Sequence, residues 1–255
     1  MLRRDSEIRA ATRLGEPQGG VIELGGTTLE GSEILKRGFD VVVAALLLAV
    51  LSPILLATAA AIRLESRGPA FFRSRRIGLR GREFNMLKFR KMHEGAQGPA
   101  LTAENDDRFT RMGRFLARTK LDEGPQLWNV LCGHMSLVGP RPEDPSFVRL
   151  QPEDFEPILQ VKPGITGLSQ LAFARETQIL DAADPTAHYV RRVLPQKLRM
   201  DRFYVEHRSF LLDARILLWT AAAVVLRQPV AVHRETGRLN VRRRPNRQLR
   251  SLPLD

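Results

Sequence analysis

The uncharged run from Val41 to Ile62, VVVAALLLAVLSPILLATAAAI, constrains this chain more than any other feature. It holds 22 residues without a formal charge, and roughly 20 apolar residues suffice to cross a hydrocarbon core as an α-helix. Lipid is the solvent that fits it. Pro53 removes a backbone donor at its middle and frees the carbonyl of Ala49, which the Ser52 hydroxyl can satisfy, so a break or kink is expected at Ser52-Pro53. Lys36 and Arg37 flank one end and Arg63 and Arg67 the other. The positive-charge asymmetry that orients a spanning helix is therefore missing. A bent, re-entrant helix over 32–66 with both ends on the cytoplasmic side meets that pattern. An ordinary kinked transmembrane helix is the alternative.

The formal charge is +12, and it is regional. Arg63 to Lys91 nets +8 and Arg227 to Asp255 nets +6, which leaves the remainder at −2. Such a balance points to anionic partners: nucleic acid, an acidic membrane surface or a phosphorylated substrate. Cys132 is the single cysteine, so no intrachain disulfide can form, and the five histidines show no metal-ligand spacing. No cleavable signal peptide is evident, so the apolar run is expected to be retained.

Around that run the chain divides into a mobile lead-in over 1–31, with a short helix at Glu7 to Arg13, a main domain over 67–226 and a basic tail over 227–255. The expected fold is predominantly α with a small β-hairpin, an α+β arrangement on a membrane surface. Phe72, Gly78, Gly81, Phe84 and Phe89 predict that hairpin, turning at Leu79 to Gly81. Its arginines would face anionic headgroups, each worth on the order of 1 kcal/mol near such a leaflet. Phe109 to Arg118 reads as an amphipathic helix with Phe109, Met112, Phe115 and Leu116 on one face and arginines on the other. Phe203 to Leu226 ends in an uncharged stretch too short to span, suited to an interfacial or a core helix. Arg242-Arg243-Arg244 is expected to lie in a headgroup-binding arm.

Leu121 to Gly133 has the layout of a short helix, with Pro125 in its first turn and Gly133 just past its end. Asp122 and Glu123 then sit at the N-terminal mouth of that helix. Adjacent carboxylates within a helix point about 100° apart, so convergence on one site needs a turn of this kind. A helix cap is the plainer use of an isolated pair. Downstream, Arg141 is fixed between Pro140 and Pro142, and Lys162-Pro163-Gly164-Ile165-Thr166-Gly167 forms a second turn-rich loop. A held guanidinium can grip phosphate oxygens in a fork. Together these features point to phosphoryl transfer, where a carboxylate can attack phosphorus and magnesium is held by one or two carboxylates plus substrate oxygens.

With those motifs in order, the chain resembles the bacterial sugar transferase family, the monotopic phosphoglycosyl transferases that begin exopolysaccharide, capsule and O-antigen assembly. The resemblance runs from about Leu35 to Leu226. It is carried by Lys36 to Asp40, Leu51-Ser52-Pro53, Gly68 to Phe72, Lys88 to Met92, Leu121-Asp122-Glu123, Gln126 to Leu131, Met135 to Pro142, Lys162 to Gly167 and Asp201 to Glu206. It implies a helix broken at Ser52-Pro53, Asp122 as nucleophile forming a covalent phosphosugar, and Glu123 assisting with it in a Mg2+ site. It further implies substrate contacts at Arg141, Lys88, Arg90, Gly164, Thr166 and Gly167. The donor would be a UDP-sugar releasing UMP, and the acceptor polyprenyl (undecaprenyl) phosphate. The protein would sit in the bacterial inner membrane facing the cytoplasm, against anionic lipids, as a monomer or a homodimer. It looks like a minimal form without the multi-helix region of larger members. Departures from the family pattern are Lys91 for Ser or Thr, Lys120 for Ser, Gly124 for Leu, His134 for an acid and Ser169 for Trp. They bear on rate and specificity more than on reaction class.

Two rival classes are weaker. A membrane-anchored basic scaffold or nucleic-acid binder would need neither carboxylate, and the chain has no nucleic-acid-binding motif. A lipid-diphosphate hydrolase would share the carboxylates but not the remaining motifs.

Overall fold

The computed structural model describes residues 26–96, 98, 106–174, 184–225, 230–233 and 237–241. The expected short helix at Glu7 to Arg13 and the Arg242-Arg243-Arg244 arm lie outside them, as does most of the lead-in. The architecture is α+β: helices form most of it, and three small two-stranded sheets are interleaved with them.

The apolar run lies in helix α1, Gly26–Glu65, with Pro53 inside it. The expected break is thus not a gap, because the chain stays helical through Ser52-Pro53. Ser52 Oγ donates to the Ala49 carbonyl at 2.8 Å, giving that orphaned acceptor the partner Pro53 cannot supply. Val42, Leu46, Val50, Ile54 and Leu56 are exposed along the helix. Among the described residues α1 is the one helix long and apolar enough to cross a membrane.

The described residues from Arg37 onward form one compact unit. Asp40, buried, accepts from Ser136 Oγ at 2.7 Å and from the Leu137 N–H at 3.2 Å. Arg37 donates to the carbonyls of Val130 and Leu131 at 2.7 and 3.0 Å. Both carbonyls lie at the C-terminal end of the helix Gln126–Leu131, and that of Val130 also accepts from the Gly133 N–H at 3.0 Å. At the other end, Ile62 packs with Ala70, Phe89 and Leu116, and Glu65 accepts from the Met112 N–H. Arg90 ties the same end down, donating to the carbonyls of Ser66 and Arg67.

The hairpin forms as the alternation predicts. Strands β1, Phe71–Ile77, and β2, Glu83–Phe89, pair antiparallel from Phe71 opposite Phe89 to Ile77 opposite Glu83. The turn falls at Leu79–Gly81, where Arg80 and Gly81 take positive φ. Helix α2, Arg111–Thr119, is capped by Thr110 Oγ1, which accepts from the Gly113 N–H at 2.9 Å. Leu116 is fully buried, but Phe115 is 52% exposed, so the expected apolar face is split between core and surface. Helix α3, Gln126–Leu131, follows a 3-10 turn at Leu121–Glu123.

Strands β3, Ser136–Val138, and β4, Gly164–Thr166, pair in parallel. Between them lie α4, Pro145–Leu150, and α5, Pro152–Phe155. Helices α6, Leu168–Ala172, α7, Pro185–His188, and α8, Leu194–His207, come next. Helix α9, Phe210–Val225, buries Ile216 and leaves Phe210, Leu211 and Leu218 exposed, serving core and surface at once. A last hairpin joins β5, Val230–Val232, to β6, Leu239–Val241.

Candidate active site

Lys120 ends α2 in the left-handed conformation, φ 62°, and turns the chain sharply into the 3-10 segment that carries Asp122 and Glu123. A non-glycine residue held there stores backbone strain, which persists where surrounding structure over-determines it. Asp122 is 2% exposed. Its carboxylate caps no helix, since Pro125 stands at the N-cap of α3 and no side chain caps that helix. Instead Oδ2 lies 2.8 Å from Lys91 Nζ, while Oδ1 is buried with no hydrogen-bond partner. A buried, ionisable oxygen without a partner is a costly arrangement for a purely structural residue.

Glu123, half-buried, shares this setting. Burial alone would raise its pKa, but Lys88, Arg141, Lys120 and Lys91 together outweigh it and hold the carboxyl below the usual range. Lys88 shows the complementary effect. Burial, with Arg141 and Lys91 adding to it, pulls its ammonium down to about 8 against the attraction of Glu123 and Asp122. Two carboxylates within the field of four cations are therefore one electrostatic unit. Such perturbed groups cluster at functional sites more than elsewhere.

Local packing sets this unit. Asn129 on α3 donates to the Asn85 carbonyl at 2.8 Å and accepts from the Leu87 N–H at 2.9 Å, fastening the helix beside β2 and so beside Lys88. Gly124 lies against α1, and a Cβ there would be 2.7 Å from Leu55 Cδ2. The carboxylate turn thus touches the apolar helix two residues beyond Pro53. Arg141 follows β3, and the Gly164 N–H donates to the Pro140 carbonyl at 2.8 Å. The Arg141 backbone N–H meets Asp201, a buried carboxylate on α8.

Of the residues singled out in the sequence, Asp122, Glu123, Lys88 and Arg141 are brought together. Arg90, Gly164, Thr166 and Gly167 are placed otherwise. The Arg90 guanidinium is taken up by the carbonyls of Ser66 and Arg67 and by Ser66 Oγ. At Gly164 a Cβ would lie 2.1 Å from the Gly139 nitrogen, and at Gly167 2.3 Å from the Gly139 carbonyl oxygen. These glycines let two backbones cross, which is a packing role. Thr166 is buried, with its Oγ1 2.6 Å from Thr220 Oγ1. Lys91 and Lys120, noticed in the sequence only as departures from a pattern, join the carboxylates instead.

Among the described residues no group of three or more His, Cys, Asp or Glu side chains could hold a metal ion. A cation at this site would have Glu123, with Asp122 beside it, as its nearest protein carboxylates and would need the substrate for the rest, which is how magnesium commonly binds with phosphates.

The family model described as bacterial sugar transferase matches residues 31–227. Over 199 residues the chain is 42% identical to the UDP-glucose:undecaprenyl-phosphate glucose-1-phosphate transferase of Caulobacter vibrioides, covering 76% of this chain and 70% of that protein. It is 35% identical over 196 residues to the UDP-N-acetylgalactosamine-undecaprenyl-phosphate N-acetylgalactosaminephosphotransferase of Aeromonas hydrophila, covering 75% of this chain and 44% of that one. It is 36% identical over 204 residues to the exopolysaccharide production protein PSS of Rhizobium leguminosarum, covering 76% of this chain and 96% of that one. The chain thus spans less than half of the Aeromonas protein and nearly all of the Rhizobium one.

Proposed function

Because this chain belongs to the bacterial sugar transferase family, we propose that it transfers a sugar 1-phosphate from a UDP-sugar to undecaprenyl phosphate, with Asp122 as nucleophile. The observation that carries this reading is the Asp122-Glu123 turn, set among Lys88, Lys91, Lys120 and Arg141 and resting on Leu55 of the apolar helix. One site is thereby open to a water-soluble donor and a lipid acceptor. A two-step exchange needs no more than that.

In the first step an Asp122 oxygen bonds to the sugar-bearing phosphorus, the bond from that phosphorus to the bridging oxygen breaks, and UMP leaves with the electron pair. In the second, an oxygen of the lipid phosphate bonds to the same phosphorus and the Asp122–phosphorus bond breaks, restoring the carboxylate. Lys88 and Arg141 supply positive charge for the donor's diphosphate, Arg141 as a fork and Lys88 as a point charge. Glu123, held as a carboxylate by the surrounding cations, would hold a magnesium ion together with the donor's diphosphate, which leaves the unpartnered Oδ1 of Asp122 for attack on phosphorus. When bound, the ion would neutralise charge gathering on the phosphate oxygens.

The membrane seating follows from the same features. The exposed apolar stripe of α1 needs lipid, Phe71, Phe72 and Phe115 lie exposed near its C-terminal end, and Arg73, Arg80 and Arg82 project from the hairpin toward anionic headgroups. We place the protein at the inner membrane with its catalytic unit in the cytoplasm, α1 re-entering there. The donors in the relatives' names differ in their sugar, and both are candidates here.

The test is transfer of labelled sugar phosphate from UDP-glucose and UDP-N-acetylgalactosamine to undecaprenyl phosphate, in detergent with magnesium. Wild type should form lipid-linked product, and Asp122→Asn should lose at least ~10³-fold in rate, as removal of a covalent nucleophile does. Equal rates from the two proteins would remove Asp122 from the chemistry.

A further inference from the structure

We infer that Lys91 controls the second half of this reaction, holding Asp122 by one oxygen for attack and then drawing the covalent intermediate apart. The inference rests on the covalent reading above and adds to it a residue with its own task. Lys91 is fixed from both directions. Its carbonyl accepts from the Thr110 N–H at 3.0 Å, and Gly113 packs so near that a Cβ there would lie 1.8 Å from the Lys91 oxygen. The N-terminal turn of α2 therefore locks the Lys91 backbone. Its side chain passes over the Phe109 ring, with Nζ 5.8 Å from the centroid, and ends 2.8 Å from Asp122 Oδ2.

That geometry makes the two carboxylate oxygens unequal. Oδ2 is held, so Oδ1, buried and unpartnered, is the oxygen that attacks. Once Oδ1 carries the phosphosugar, the carboxyl has become an acyl phosphate with Oδ2 as its uncharged carbonyl oxygen; the remaining negative charge lies on the phosphoryl oxygens, and Oδ2 is no longer an anionic partner for Lys91. When the lipid phosphate oxygen bonds to phosphorus and the Oδ1–phosphorus bond breaks, the electron pair returns to the carboxylate. Charge then grows on Oδ2, directly at the Lys91 ammonium. A fixed cation that favours the free carboxylate restrains the first step and assists the second, because only there does charge develop toward it. Lys91 is thus a positioning residue in one half-reaction and a leaving-group stabiliser in the other.

The experiment measures the halves separately with UDP-glucose and UDP-N-acetylgalactosamine. UMP release by the detergent-solubilised enzyme without acceptor reports the first half. Discharge of the loaded enzyme on adding undecaprenyl phosphate reports the second. Lys91→Met removes the ammonium at similar length, and Lys91→Arg restores a cation. Lys91→Met should still load, giving a UMP burst that also shows it is folded, while discharge slows about a hundredfold and far more than loading does. Lys91→Arg should recover most of that loss. Equal slowing of both halves with no rescue by arginine, or discharge at the wild-type rate in Lys91→Met, overturns the inference. A wild-type enzyme that makes lipid-linked product yet releases no UMP without acceptor overturns the covalent reading instead.

Discussion

At Asp201 the protein keeps a carboxylate where burial works against its charge. Burial pushes its pKa up to about 7 despite Ser169, Lys197 and the Arg141 N–H, and Glu143 adds to the rise. A folded-state value above the unfolded one means that the stabilisation is complete at acid pH and lost as pH climbs through about 7. Asp201→Asn stays neutral throughout. Its melting temperature should therefore gain on wild type between about pH 4 and about pH 7, by roughly 2–4 °C for each ~1 kcal/mol of relief. A pH-independent difference in a scanning melt would show that Asp201 does not titrate in the fold. At this scale the carboxylate pair and Arg141 were legible, the pair from its place at a helix mouth and Arg141 from its flanking prolines, whereas Lys88 came only from the family resemblance. The service of Lys91 to Asp122 was not legible, because a contact between segments distant in sequence leaves no local pattern.

Among the elements, α1 carries the sharpest expectation. Gly38 is exposed with nothing within 4 Å of an added Cβ, and Arg67 is exposed at the other end, so single cysteines fit at both. In a Cys132→Ser background, which removes an exposed thiol, both Gly38→Cys and Arg67→Cys should resist a membrane-impermeant reagent added outside spheroplasts and react once the cells are opened. Reaction of either end from outside would make α1 a spanning helix. The hairpin was readable from alternation and its glycine turn. In the loop from Lys162 to Gly167 the structure adds a packing role, because glycines that let Gly139 and Gly164 pack backbone to backbone look, in sequence, like glycines that cradle a phosphate.

For the whole molecule, Asp40 joins the apolar helix to the catalytic unit. Asp40→Ala would leave the buried Ser136 hydroxyl and Leu137 N–H unpaired, each costing about 1–3 kcal/mol. A detergent-phase melt should fall by several degrees, whereas Glu83→Ala, which breaks only the exposed pair with Arg75, should leave it nearly unchanged. Equal effects would mean that helix and domain are not joined there. The sequence alone determined the membrane-length helix, its proline, the α+β class, the family and the carboxylate pair, because each is a local matter of composition, period or adjacent residues. Only tertiary structure decided which oxygen of Asp122 is held, that Arg90 braces a helix end, and that the carboxylate turn rests on Leu55. Each of these depends on a distance between segments far apart in the chain, and such distances are set by how the segments pack.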